Sequence, residues 1–175
     1  YGDAEQRAFR QRVTFEQTGL PFLVYRARTT LLDEEGEPQR EATYEQGFWE
    51  LARPREDGDI GPGMLPPDPV PVITSAEDVE KLRNADGGFD ISVTISQPGG
   101  ISELYLGQIK GPRVELTTDA VIRAQGAKEY LSGTRLYGLV NNHLMWAWDM
   151  AAQGHELATH ASAELTKLEQ VDPEQ

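Results

Sequence analysis

The sequence predicts an all-β protein, an antiparallel meander of short strands whose closure into a barrel would remove its exposed edges. Two observations carry this. Most of the chain alternates apolar and polar residues with period two, most clearly where Phe89, Ile91, Val93 and Ile95 alternate with Asp90, Ser92, Thr94 and Ser96. The strand-like runs also follow one another at close spacing with turn signals between them, which suits hairpins rather than helical crossovers.

Taken in order, Phe9, Val13 and Phe15 share one parity, with Gln11 interrupting them. Gln17-Thr18-Gly19 then turns the chain before Phe22, Leu23, Val24 and Tyr25. Asp33 to Glu37 reads as a charged loop, after which Ala42, Tyr44 and Phe48 alternate with Thr43, Glu45 and Gly47. Pro98-Gly99-Gly100 is a turn from which residues 101–109 return. Runs at 114–118, 120–123, 128–131, 135–140 and 144–150 complete the succession, with Asn141-Asn142 joining the last two.

Residues 53–88 break this rhythm. Pro54, Pro62, Pro66, Pro67, Pro69 and Pro71 make a strand improbable there. Ser75 followed by Ala76, Glu77, Asp78, Val79 and Leu82 reads as a capped short helix near 75–86. A connection of this length is either a surface excursion or a flap over a cavity. The C-terminal stretch is open between two states. Leu157, Thr159, Ala161, Ala163 and Leu165 would share one face of a strand with His160 and Ser162 on the other, whereas Leu157, Ala161, Leu165 and Leu168 would also line a helix.

Composition narrows the function classes. A length of 175 residues suits one domain, 1–175, with 53–88 as an insertion. Sixteen basic against 29 acidic residues give a net charge of -13, a field that disfavours nucleic acid and anionic membrane as partners. The absence of cysteine excludes disulfides, thiolate catalysis and cysteine metal sites, and is compatible with the cytoplasm. No run of 18 apolar residues exists to span a bilayer as a helix.

The chemistry-bearing residues are few. His155 and His160 are five apart, so a regular strand puts them on opposite faces and neither strand nor helix lets them grip one ion readily. Zinc-protease, EF-hand, dinucleotide and Walker signatures are all missing. His143, after the Asn-Asn turn, and His155, after Gly154, read as exposed turn residues. His160 lies among the small residues Ala158, Thr159, Ala161 and Ser162, leaving room for a large flat ligand against its imidazole. The aromatic set Phe48, Trp49, Trp146 and Trp148 is expected in the core, with Trp146 and Trp148 on one face. Lys128 and Arg135 fall in runs read as half-buried strands, where a cation either reaches out to solvent or pairs with a ligand carboxylate.

Several segments together resemble the nitrobindin family, in its actinobacterial form. They are VTFEQTGLPFLVYRART (13–29), EQGFWE (45–50), GGISELYLGQIKG (99–111), ELTTDAVIRAQGAKEYLSGTRLYGLV (115–140) and LMWAWDMAAQGHELATHASAEL (144–165). The Met-Ala-Ala-x-Gly run with a histidine six residues after its glycine is the most specific part. The resemblance implies a ten-stranded antiparallel up-and-down barrel, like the fatty-acid-binding proteins, holding haem b in an open cleft. It places the iron ligand at His160, which favours strand over helix there, and matches Lys128 to a haem-contacting position. The implied activity is isomerisation of peroxynitrite to nitrate at ferric iron, with nitric oxide bound by the ferrous form. A homodimer is compatible with it.

Three departures accompany the match. The family's first strand, with its G-x-W-x-G-x-G motif, is expected ahead of Tyr1 and so missing from this chain, and its Tyr-Pro-Thr stands here as Tyr1-Gly2-Asp3. Residues 53–88 are longer than usual, and His155-Glu156 replace a Gln-Pro pair. Two other functions stay open: a haem-free carrier of a hydrophobic small molecule, and an interaction module using 53–88 as its contact surface.

Overall fold

Nine strands follow one another in a single sheet, in sequence order and all antiparallel, in a computed structural model that describes residues 7–56, 59 and 73–168. They are β1 (Phe9–Gln17), β2 (Leu23–Leu32), β3 (Pro38–Leu51), β4 (Phe89–Gln97), β5 (Ile101–Lys110), β6 (Arg113–Arg123), β7 (Tyr130–Val140), β8 (His143–Ala152) and β9 (Ala158–Thr166). The ten strands implied by the resemblance are therefore nine among the described residues. The Tyr1-Gly2-Asp3 segment lies outside them.

The sheet curls into a nearly closed barrel because contacts cross its interior. Trp49 on β3 meets Tyr137 on β7 with ring centroids 5.4 Å apart, and Phe9 on β1 lies 6.4 Å from Trp146 on β8. Val93, Ile95 and Tyr105 are fully enclosed in the core these rings form. Among the described residues β1 and β9 are the two edges of the sheet.

Alternation reads β4 correctly, since Ile91, Val93 and Ile95 are buried. It misreads β3. Glu45 and Trp49 point inward, with Gly47 sharing their parity, while Tyr44 and Phe48 are exposed. Phe48 thus leaves the expected core set and packs on Phe22 outside, at 5.3 Å. Gly47 explains part of this choice: a β-carbon there would collide with the Thr94 carbonyl of β4, so only glycine allows the two strands to pair this closely.

Two expected breaks are absent. Runs 114–118 and 120–123 form one strand, β6, in which Asp119 is an extra, unpaired residue opposite the Leu104/Tyr105 step. Run 128–131 is not a strand of its own: Lys128 lies in the loop before β7, and Tyr130 to Val140 is continuous. Asn141 and Asn142 both take positive φ, 50° and 64°, as a two-residue hairpin turn requires.

The helix is shorter than expected. α1 spans Ala76–Glu80, with the Ser75 side chain accepting from the Asp78 backbone N–H at 3.2 Å. Because strand direction alternates, the β3–β4 connection that carries it leaves the barrel at the end shared with the Asn141-Asn142 turn. The β6–β7 and β8–β9 connections emerge at the other end. No helix among the described residues is long and apolar enough to cross a membrane.

Candidate functional site

β9 settles the C-terminal ambiguity as strand, but not as a regular one. In its pairing with β8, Trp148 faces Ala161 and Asp149 faces Thr159, so His160 is the extra residue of a bulge. A bulge lets two successive side chains share a face. Ala161 packs against the core, and the His160 ring stands perpendicular to the Trp148 indole at 5.0 Å and 84°. Both therefore lie on the inner side, where strict alternation would have sent His160 outward.

The imidazole remains accessible along one flank while its other flank meets the indole. Partial burial lowers its pKa below the ordinary histidine value, and the Arg135 charge adds to this. His160 is consequently neutral at pH 7, the protonation state in which imidazole ligates a metal. Ala161 and Ala163, on the same inner face of β9, are small. Among the described residues no three His, Asp or Glu side chains gather around a bare ion. One accessible neutral imidazole suits instead an iron whose other ligands come from a porphyrin.

Lys128 is exposed, in the β6–β7 loop. That loop is tied to the turn leading into β9: the Gly154 N–H donates to Glu129 Oε2 at 2.6 Å and the Gln153 N–H to the Glu129 carbonyl at 3.2 Å. Lys128 and His160 thus belong to the same end of the barrel. His155 sits exposed in the β8–β9 turn, as expected. His143 opens β8 and pairs with Glu164 on β9.

Below His160 lies a polar cluster that sequence reasoning missed. Arg135 is not reaching for solvent; it is 2% exposed and grips Glu45 with both terminal nitrogens, at 2.9 and 2.7 Å. Its Nε donates to the Tyr105 hydroxyl at 3.1 Å, and Glu103 lies 3.7 Å away. Tyr25 donates to Glu45 at 2.8 Å. Tyr105 and Tyr130 donate to one oxygen of Glu103, and Gln97 donates to the other at 2.7 Å.

Two carboxylates and one guanidinium are thus enclosed together, with phenol and amide donors completing the carboxylates' hydrogen bonds. Burial opposes ionisation of Glu45, but Arg135 outweighs it and holds the carboxyl below its usual range. Burial raises the Tyr25, Tyr105 and Tyr130 phenols, and the neighbouring carboxylates add to the rise. One signal in the sequence could have found this cluster. Glu103 stands on the parity of Ile101, Tyr105 and Ile109, a charge on an otherwise core-facing row.

The THAP4-like, heme-binding beta-barrel domain matches residues 1–167, nearly the whole chain. The chain belongs to this family. Among similar proteins, a peroxynitrite isomerase of Kocuria rhizophila is 90% identical over 173 residues, covering 99% of this chain and 84% of the relative. One of Paenarthrobacter aurescens is 54% identical over 167 residues, covering 95% and 84%. The crystal structure of Rv2717c from M. tuberculosis superposes with a TM-score of 0.67 at 20% identity, covering 97% of this chain and 86% of that one. That likeness bears on the fold, and the haem-binding barrel family accounts for the meander and its curl.

Proposed function

We propose that this chain binds haem b through His160 and isomerises peroxynitrite to nitrate. The carrying observation is the β9 bulge, which sets a neutral, accessible imidazole on the inner wall beside Trp148. Family membership and the activity named for the relatives from Kocuria and Paenarthrobacter support the same reading.

Bound haem supplies a ferric centre at which peroxynitrite rearranges, a conversion that leaves atoms and charge unchanged. The protein's part is to bind, orient and leave access. His160 would hold the iron through a neutral ring nitrogen. Ala161 and Ala163 leave a flat ring space against the strand. Lys128, at the same end of the barrel, offers a cation to a haem carboxylate. Haem reduced to the ferrous form would also bind nitric oxide.

Hemin titration of the purified chain tests this. A Soret band should develop with wild type and disappear with His160→Ala, and the loaded protein should speed peroxynitrite decay with nitrate as the product. A flat wild-type titration would replace this reading with that of a haem-free hydrophobic carrier. Two finer points belong to the proposal. The cysteine-free composition supports a cytoplasmic location, tested by fractionation. The exposed Leu136 and Met145 on neighbouring strands support a homodimer, tested by light scattering.

A further inference from the structure

Three connections at the His160 end of the barrel are laced together. The β4–β5 turn meets the β6–β7 loop where the Ala124 N–H donates to the Gly100 carbonyl at 2.8 Å, and a β-carbon on Gly100 would strike Ala124. The same loop ends at Glu129, which holds the β8–β9 turn with two acceptors. Its carbonyl takes the Gln153 N–H at 3.2 Å and its carboxylate takes the Gly154 N–H at 2.6 Å. Lys128 lies between these ties, next to the second.

The β8–β9 turn calls for such a partner. Gln153 and Gly154 both take positive φ, 53° and 78°, and the His155 N–H closes the turn on the Ala152 carbonyl at 3.0 Å. A turn closed this way leaves the N–H groups of its two central residues without an acceptor inside it. Both go to Glu129, one of them to a carboxylate, whose charge strengthens the bond. Nor does this turn by itself fix where β9 begins. In a tight hairpin the turn sets the register of the strands it joins. Here residues 155–157 intervene before Ala158 pairs with Met150, and the bulge carrying His160 follows two residues later.

On the reading that His160 holds iron and Lys128 a haem carboxylate, we propose that Glu129 is a positioning residue for the haem site. By pinning the β8–β9 turn to the loop that bears Lys128, it holds His160 and Lys128 at a set separation. Two contacts with one rigid ligand reinforce each other when their spacing is arranged beforehand. Glu129 acts through the turn, not on the ligand.

The test uses the full chain, with and without hemin: wild type, Glu129→Ala, Glu129→Gln, Lys128→Ala and the Glu129→Ala/Lys128→Ala double variant. Three readouts are followed: amide exchange at Gln153 and Gly154 in the apo-protein, hemin transfer to apomyoglobin, and the iron–histidine stretching band of the reduced, loaded protein. Glu129→Ala should speed exchange at Gly154 and shift the band. It should also speed hemin transfer about ten-fold, the lower end of the range for groups that support a metal ligand. Glu129→Gln, whose amide oxygen accepts the same N–H, should stay near wild type. In the Lys128→Ala background Glu129→Ala should lose most of its effect on transfer, because one contact alone then remains to be positioned.

A wild-type band and transfer rate in Glu129→Ala would overturn the proposal. So would a Glu129→Gln variant as impaired as Glu129→Ala, since charge rather than the hydrogen bond would then be responsible. Full additivity with Lys128→Ala, or a fall in apo-protein stability large enough to account for the faster transfer, would overturn it too. Failure of the haem reading shows separately, as a wild-type chain with no Soret band, whereas failure of this inference leaves that band in place.

Discussion

β7 and β9 carry the two side chains that matter most here, Arg135 and His160, and treat them in opposite ways. Arg135 stands in a regular stretch of an interior strand, paired on both sides, and every nitrogen it has is directed at a carboxylate or a phenol. His160 stands at an irregularity of the outermost strand, with one flank exposed. Rigidity is concentrated in the enclosed cluster, and access is kept at the side chain proposed to hold the iron. Both side chains contact Trp148, Arg135 over its face and His160 at its edge.

Removing the anchor should have the largest effect. Arg135→Met leaves Glu45 and Glu103 enclosed without their cation, and breaking a buried pair this way costs about 3–5 kcal/mol. Urea unfolding of the apo-protein should show a loss of that size, and a loss under 1 kcal/mol would mean that the cluster is wetter or looser than described.

Acid should act on the same anchor. The Glu45 carboxyl ionises more easily in the folded chain than in the unfolded one, because Arg135 more than offsets its burial. The stability this supplies is complete above about pH 4.3, the ordinary glutamate value, and is lost as pH falls through the lower folded value. Apo-protein followed by circular dichroism should therefore hold its fold through the usual carboxylate range and unfold below it. In Arg135→Met the acid transition should move upward.

The smallest effect should come from the other region. His160→Ala removes a half-exposed side chain that packs on Trp148, so apo-protein stability should fall by about 0.5–1 kcal/mol, well below the loss for Arg135→Met. Hemin binding should nevertheless disappear. A large destabilisation from this substitution would contradict the division between anchor and access.

Much of the scaffold was legible because hairpin strands declare themselves locally. Phe89 to Ser96 alternates for a wall buried on one side, and Trp146 and Trp148 share their face as parity requires. The resemblance located His160 as well. What stayed hidden depends on long-range pairing. Nothing near Glu45 announces that Arg135, 90 residues away, will meet it inside, so β3 looked as if its aromatic row faced in. The gap between the runs 128–131 and 135–140 holds Gly133, where a β-carbon would meet the indole of Trp148 on another strand. The face taken by His160 was unreadable for a related cause: alternation assumes an unbroken ladder, and one extra residue reverses it.

That extra residue has a consequence for how such a wall can change over time. On β9, losing Thr159 would do more than shorten a strand. It would restore even spacing and turn the imidazole toward the outside while leaving every remaining side chain chemically intact. The proposed metal site thus depends on the count of residues as much as on their identity, and a length change of one would silence it without replacing the histidine.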